Sequence, residues 1–159
     1  MSSFTEFQAH ISNQHGLSIQ ENVELRSYST ARVGGMALGL VSVHSAKELE
    51  AVVNAARDCS LPYLVMGSGA NMLISDKGYD GIVILNKANL IKVDVHDSEP
   101  SIWAESGANF SQMARRAALR GFAGLEWAAA IPGTVGGAIY GNAGAFGSDV
   151  SRCLMLAEI

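Results

Sequence analysis

Apolar positions in this chain fall into two alternating rhythms, and together they predict a mixed α/β protein. Residues 1 to 22 are polar, with Phe4, Phe7 and Ile11 at helical spacing. This reads as a short amphipathic arm with no chemical signal. Gly39-Leu40-Val41-Ser42-Val43 then predicts a strand, and Ser45 followed three residues later by Glu48 forms a capping box that opens a helix. Leu49, Val52, Val53 and Ala56 give that helix one apolar face. Pro62 marks the entry to Tyr63-Leu64-Val65-Met66, which has the pattern of a buried strand. Strand, helix and strand in that order predict a βαβ unit with a right-handed crossover.

A loop from Gly67 to Asp80 leads into an apolar strand at Gly81-Ile82-Val83-Ile84-Leu85. Alternation in Leu90 to Val95 and in Ile102 to Glu105 predicts a hairpin around an Asp97-Ser98-Glu99-Pro100 turn. Asn109 or Ser111 can cap a second helix with Phe110, Met113, Ala114 and Ala117 on its buried face. Arg115, Arg116 and Arg120 fall on its solvated side, and Gly121 ends it. Met155 to Ile159 reads as the start of a further strand with an unpaired edge. The expected organisation is an N-terminal arm over 1–22, a first α/β lobe over 23–88 and a second, incomplete lobe over 89–159.

Composition narrows the function. The 159 residues are 48% hydrophobic and 16% charged, which is globular, and Lys+Arg 11 against Asp+Glu 15 leaves a net charge of −4. That balance argues against a nucleic-acid binder or a protein held on anionic membranes. There is no apolar run of the roughly 20 residues needed to span a bilayer, and no signal-peptide pattern at the N-terminus. A cytoplasmic domain is expected. Cys59 and Cys153 match neither a metal motif nor a disulfide framework.

Two segments depart from ordinary core-making. Met66-Gly67-Ser68-Gly69-Ala70-Asn71-Met72 directly follows a strand. Its glycines let the backbone take positive φ, so that successive N–H groups can face one concavity suited to a pyrophosphate. The loop is neither a Walker A sequence nor a full dinucleotide fingerprint, because Met72 stands at the sixth position and no helix pattern follows. A plain glycine turn between strands is the alternative. The second segment runs from Gly124 to Gly147 and holds seven of the 17 glycines, with Glu126 its sole charge. Each interior glycine costs about 0.5–1 kcal/mol relative to alanine, which is tolerated where backbone must approach something closely. A flat aromatic cofactor on bare peptide is one such partner; a glycine-rich lid or a helix-crossing contact is another. His10, His15, His44 and His96 lack ligand spacing, Ser68 sits in no nucleophile elbow, and Trp103 and Trp127 suit core filling as well as ring stacking.

Taken with Tyr28-Ser29-Thr30-Ala31-Arg32-Val33-Gly34-Gly35, these two segments resemble the UDP-N-acetylenolpyruvoylglucosamine reductase family in order and spacing, from about Val23 onward. Gly124-Leu125-Glu126 leading into Ile131-Pro132-Gly133-Thr134-Val135-Gly136-Gly137 is the most distinctive stretch. The resemblance implies an α/β, two-lobed FAD-binding fold of the vanillyl-alcohol-oxidase (PCMH) type, truncated before the substrate domain. It places the FAD pyrophosphate on Met66, Gly67, Ser68, Gly69, Ala70, Asn71 and Met72. It lays the rest of the cofactor along Ile131, Pro132, Gly133, Thr134, Gly136, Gly137, Asn142 and Gly144. Peptide dipoles carry the anion in this picture, without Lys or Arg.

In that family NADPH reduces FAD, and the hydride then reaches the enolpyruvyl double bond of a UDP-sugar, forming UDP-N-acetylmuramate for peptidoglycan. Flavin carries that chemistry, and the protein supplies orientation. Ala70 departs from the hydroxyl residue usual in relatives, and Ala130 and Gly141 also differ. The family's Arg, Ser and Glu that act on substrate lie beyond Ile159, so no residue here is expected to be catalytic. The chain alone is expected to be inactive, with the UDP-sugar bound only if the missing domain is supplied. A remnant of the fold without flavin, or another flavin oxidoreductase of the same superfold, are the competing readings.

Overall fold

The computed structural model describes residues 3–96 and 99–158. Asp97 and Ser98 of the expected Asp97-Ser98-Glu99-Pro100 turn, and Ile159, lie outside the described residues, whereas Glu99 and Pro100 are in strand, paired with His96 and Val95. The chain divides into two compact units, Met1–Ala88 and Asn89–Ile159.

In the first unit the strands β1 (Ile19–Glu24), β2 (Met36–Val43), β3 (Tyr63–Met66) and β4 (Tyr79–Asn86) form one sheet in the order β1-β2-β4-β3. β1 is antiparallel to β2, whereas β2 and β3 each run parallel to β4. The expected strand–helix–strand unit is present, but its two strands are not neighbours. The most apolar strand, β4, takes the place between them, with Ile82, Val83 and Ile84 fully buried. This corrects the reading of 63–66 as a buried strand. On the sheet edge only Met66 is buried, while Tyr63 and Val65 are exposed.

Helices α1 (Ser3–His15) and α2 (Ala46–Asp58) cover one sheet face. Phe7 and Ile11 of α1 pack with Val52, Ala55 and Ala56 of α2 and with Val41, Val43, Ile82 and Ile84 of the sheet. The polar N-terminal segment is thus pinned by its few apolar residues into a core. The cap forms at α2: Ser45 Oγ accepts from the Glu48 N–H at 3.2 Å, while the Glu48 carboxylate reaches back past the cap residue to accept from the His44 N–H at 2.7 Å, a one-residue variant of the expected capping box. The opposite sheet face buries Leu40, Met66, Val83 and Leu85 under Leu25, which opens a 3-10 turn, and Ile74 in the loop after β3, so a short turn and irregular chain rather than an α-helix cover it. That irregular cover carries two of the three sequence blocks singled out above.

The second unit opens with the hairpin β5 (Ile91–His96) and β6 (Glu99–Ala104). Helix α3 (Phe110–Leu119) follows, with Asn109 Oδ1 accepting from the Gln112 N–H at 2.9 Å. Phe110, Met113, Ala114 and Ala117 are buried, and Gly121 turns the chain at φ +80°. A 3-10 turn at Glu126–Ala130, a short helix α4 (Val135–Tyr140) and a tiny hairpin of β7 (Gly144–Ala145) with β8 (Ser148–Asp149) complete the unit. Trp127, Ala128, Val135, Ala138 and Val150 join α3 in its core. The strand expected from Met155 is not formed: residues 154–158 are irregular, with Met155 and Leu156 exposed and no partner strand among the described residues. Among the described residues no helix is long and apolar enough to cross a membrane.

Candidate functional site

The first glycine loop leaves the C-terminal end of β3 and packs against the Tyr28–Gly35 block. Thr30 N–H donates to the Gly69 carbonyl at 3.1 Å, and Gly35 N–H donates to the Ser75 carbonyl at 2.9 Å. Gly69 is the buried corner of the loop, at φ +67°. A Cβ there would stand 2.2 Å from the Tyr28 carbonyl oxygen, so this position must be glycine for packing as well as for conformation. Met66 anchors the loop in the core with Leu25, Ile74 and Val83, and Met72 packs against that cluster. Ser68 and Asn71 are exposed, and Gly67 and Ala70 are half-buried. Among the described residues the N–H groups of Ser68, Ala70 and Asn71 meet no acceptor. The segment from Gly67 to Ser75 carries no charged side chain. Unpaired peptide donors on a glycine corner fit an anionic phosphate group.

The second glycine segment is built differently. Thr134 caps α4, its Oγ1 accepting from the Gly137 N–H at 3.3 Å. Val135 N–H donates to the Ala108 carbonyl and Gly136 N–H to the Ser106 carbonyl, each at 2.8 Å. Phe110 N–H in turn donates to the Gly133 carbonyl at 3.1 Å. A Cβ on Gly136 would lie 2.8 Å from the Ser106 Cβ, and one on Gly144 would lie 2.8 Å from the Ser148 carbonyl oxygen. Close chain-to-chain packing therefore explains both glycines. Of the donors expected here, those of Val135, Gly136 and Gly137 are engaged within the unit, whereas among the described residues the Gly133 and Thr134 N–H groups meet no acceptor. The stretch also offers surface without side chains: Gly137 and Gly141 are exposed one helical turn apart, while Val135 and Ala138 point into the core.

The other residues named for this segment have structural work. Thr134 is buried, Ile131 is half-buried in the unit's core, and Pro132 is exposed. Asn142, at φ +42°, accepts the Ser151 N–H on its Oδ1 at 2.9 Å. Trp127 fills core: it meets Phe110 edge-on, with ring centroids 5.8 Å apart, and its Nε1–H donates to the Gly124 carbonyl at 3.1 Å. Phe146 is 90% exposed and lines an open recess of about 510 Å³ with Gly124, Glu126, Trp127 and Ser148. Burial pushes the thiols of Cys59 and Cys153 up, and the Asp149 carboxylate adds to the rise at Cys153, so neither is an activated thiolate. The Tyr28–Gly35 block went without a ligand role in the sequence, because its hold on the glycine loop is made by backbone atoms that no side-chain pattern reveals.

The chain is similar to several named reductases. A UDP-N-acetylenolpyruvoylglucosamine reductase of Caldicellulosiruptor bescii is 38% identical over 155 residues, covering 97% of this chain and 48% of that protein. The enzyme of the same name from Lactobacillus delbrueckii subsp. bulgaricus is 39% identical over 145 residues, covering 91% of this chain and 48% of its own length. The chain thus spans about half the length of these curated relatives. The crystal structure of the UDP-N-acetylenolpyruvylglucosamine reductase from Thermus caldophilus superposes with a TM-score of 0.65 at 32% identity, covering 84% of this chain and 45% of that one. Residues 37–157, which take in both glycine segments, match the FAD binding domain family, and the chain belongs to that family.

Proposed function

We propose that this chain is the FAD-binding part of a cytoplasmic, NADPH-dependent reductase that converts a UDP-N-acetylglucosamine enolpyruvate ether to UDP-N-acetylmuramate. The observation that carries the reading is the loop after β3, with a buried glycine corner and the unpaired N–H groups of Ser68, Ala70 and Asn71. Bound there, FAD would supply hydride transfer from NADPH to the enolpyruvyl double bond. The chain's own residues bind and orient. The amides of Ser68, Ala70 and Asn71 hold the pyrophosphate, and the Asn71 side-chain amide, also exposed, adds a donor. Taken by itself, the second unit has exposed backbone without side chains at Gly137 and Gly141, a flat surface that suits a ring lying on it. In this reading no described residue protonates the product. The reading is therefore of a cofactor-holding part that turns over no enolpyruvyl substrate alone, and whose UDP-sugar site lies in a partner domain.

The test is a titration of the purified, flavin-stripped chain with FAD, followed by flavin fluorescence and visible absorbance. Saturable quenching with a shifted flavin band is the expected result. A chain that leaves FAD emission unchanged, and whose melting temperature ignores added FAD, is a remnant of the fold, and the proposal then fails.

A further inference from the structure

We infer that Arg32 is a cationic clamp for the pyrophosphate on the Gly67–Met72 loop, a role that rests on the FAD reading above. Arg32 holds φ at +54°, the left-handed region that L side chains avoid and that glycine or asparagine fills more easily. Strain of this kind persists where surrounding structure enforces it, and here it does. Ser29, itself buried, donates its hydroxyl to the Val33 carbonyl at 2.9 Å, and Arg32 N–H donates to the Ser29 carbonyl at 3.1 Å, closing a tight loop around the residue. Both flanks of that loop are tied to the glycine segment, through Thr30 to Gly69 and through Gly35 to Ser75.

The side chain gains nothing from the fold for this strained position. Arg32 is exposed, and among the described residues its guanidinium has no ion pair and no hydrogen bond. The segment it adjoins has donors but no cation from Gly67 to Ser75. A pyrophosphate held on neutral amides keeps its charge uncompensated, and a guanidinium pairs with phosphate oxygens in a bidentate fork that no amide matches. An arginine fixed in a conformation suited to glycine, unpaired and tethered to an amide-lined corner, is placed to supply that charge.

The test compares Arg32→Asn, Arg32→Lys and the unaltered chain in FAD titrations at low and high salt, with the unfolding midpoint of each flavin-free protein. Asparagine tolerates the backbone, so R32N should keep or slightly raise the midpoint while its FAD affinity falls at least ten-fold at low salt. R32K should bind at an intermediate level, and added salt should weaken the unaltered chain more steeply than R32N. Equal affinity of R32N and the unaltered chain overturns the clamp while leaving the cofactor reading standing. Failure of the unaltered chain to bind FAD overturns the reading, and the clamp with it.

Discussion

The two glycine-rich segments look alike as sequence but use glycine for different ends. Around Gly69 the missing side chain lets one loop press against the Tyr28–Ser29 backbone while its neighbours' N–H groups stay open. Around Gly136 it lets a short helix press against Ser106, and the helix's first amides are consumed by that contact and by the Thr134 cap. The contrast teaches that glycine density marks close approach without saying what approaches. Only the hydrogen-bond accounting of each backbone segment separates a donor-bearing corner from a packing seam.

The largest expected effect is at the corner. Gly69→Ala places a methyl group on the Tyr28 carbonyl in a left-handed backbone, and should cost about 2–4 kcal/mol and abolish FAD quenching. Urea unfolding followed by circular dichroism reads the loss; a mild effect would mean the loop can move away from Tyr28 freely. Gly136→Ala should cost about 1–3 kcal/mol through its clash with Ser106, at a φ that alanine accepts. If Gly136→Ala instead leaves stability intact and removes only flavin binding, the two segments are more alike than their hydrogen bonds indicate. Thr134→Ala removes the cap of α4 and should cost about 1 kcal/mol in the same measurement. The smallest effect runs the other way. Phe146 and Gly147, at φ +54° and +81°, form the two-residue turn between β7 and β8, for which Asn-Gly is the favoured pair. Phe146→Asn should stabilise by about 0.5–1 kcal/mol, so a loss would show that the exposed ring makes a contact worth more than the strain.

How far the fold could be read from sequence follows from which residues announce themselves. Helix α3 was fully legible because Asn109 caps it, four apolar residues mark one face and Gly121 stops it. Helix α4 was not, since Val-Gly-Gly-Ala offers weak helix propensity and its stability comes from the Thr134 cap and burial of Val135 and Ala138. The polar run Ile-Gln-Glu-Asn-Val-Glu conceals β1, an edge strand paired on one side only. The apolar run at 63–66 overstates the burial of β3 for the same positional reason. The candidate loop was visible from Gly67, Gly69 and Asn71, whereas the occupied amides of Val135 and Gly136 depend on Ala108 and Ser106, some thirty residues earlier in the chain.

Both tryptophans, Trp103 and Trp127, belong to the second unit, one beneath the Lys92 ammonium at 5.3 Å and one packed on Phe110. Ultraviolet emission excited near 295 nm (about the red edge where tyrosine is silent, and where buried Trp127 supplies the environment-sensitive component) therefore reports melting of residues 89–159 and is blind to the sheet. Because the dichroic signal averages the whole chain, non-coincident transitions from the two probes would reveal whether the halves come apart separately.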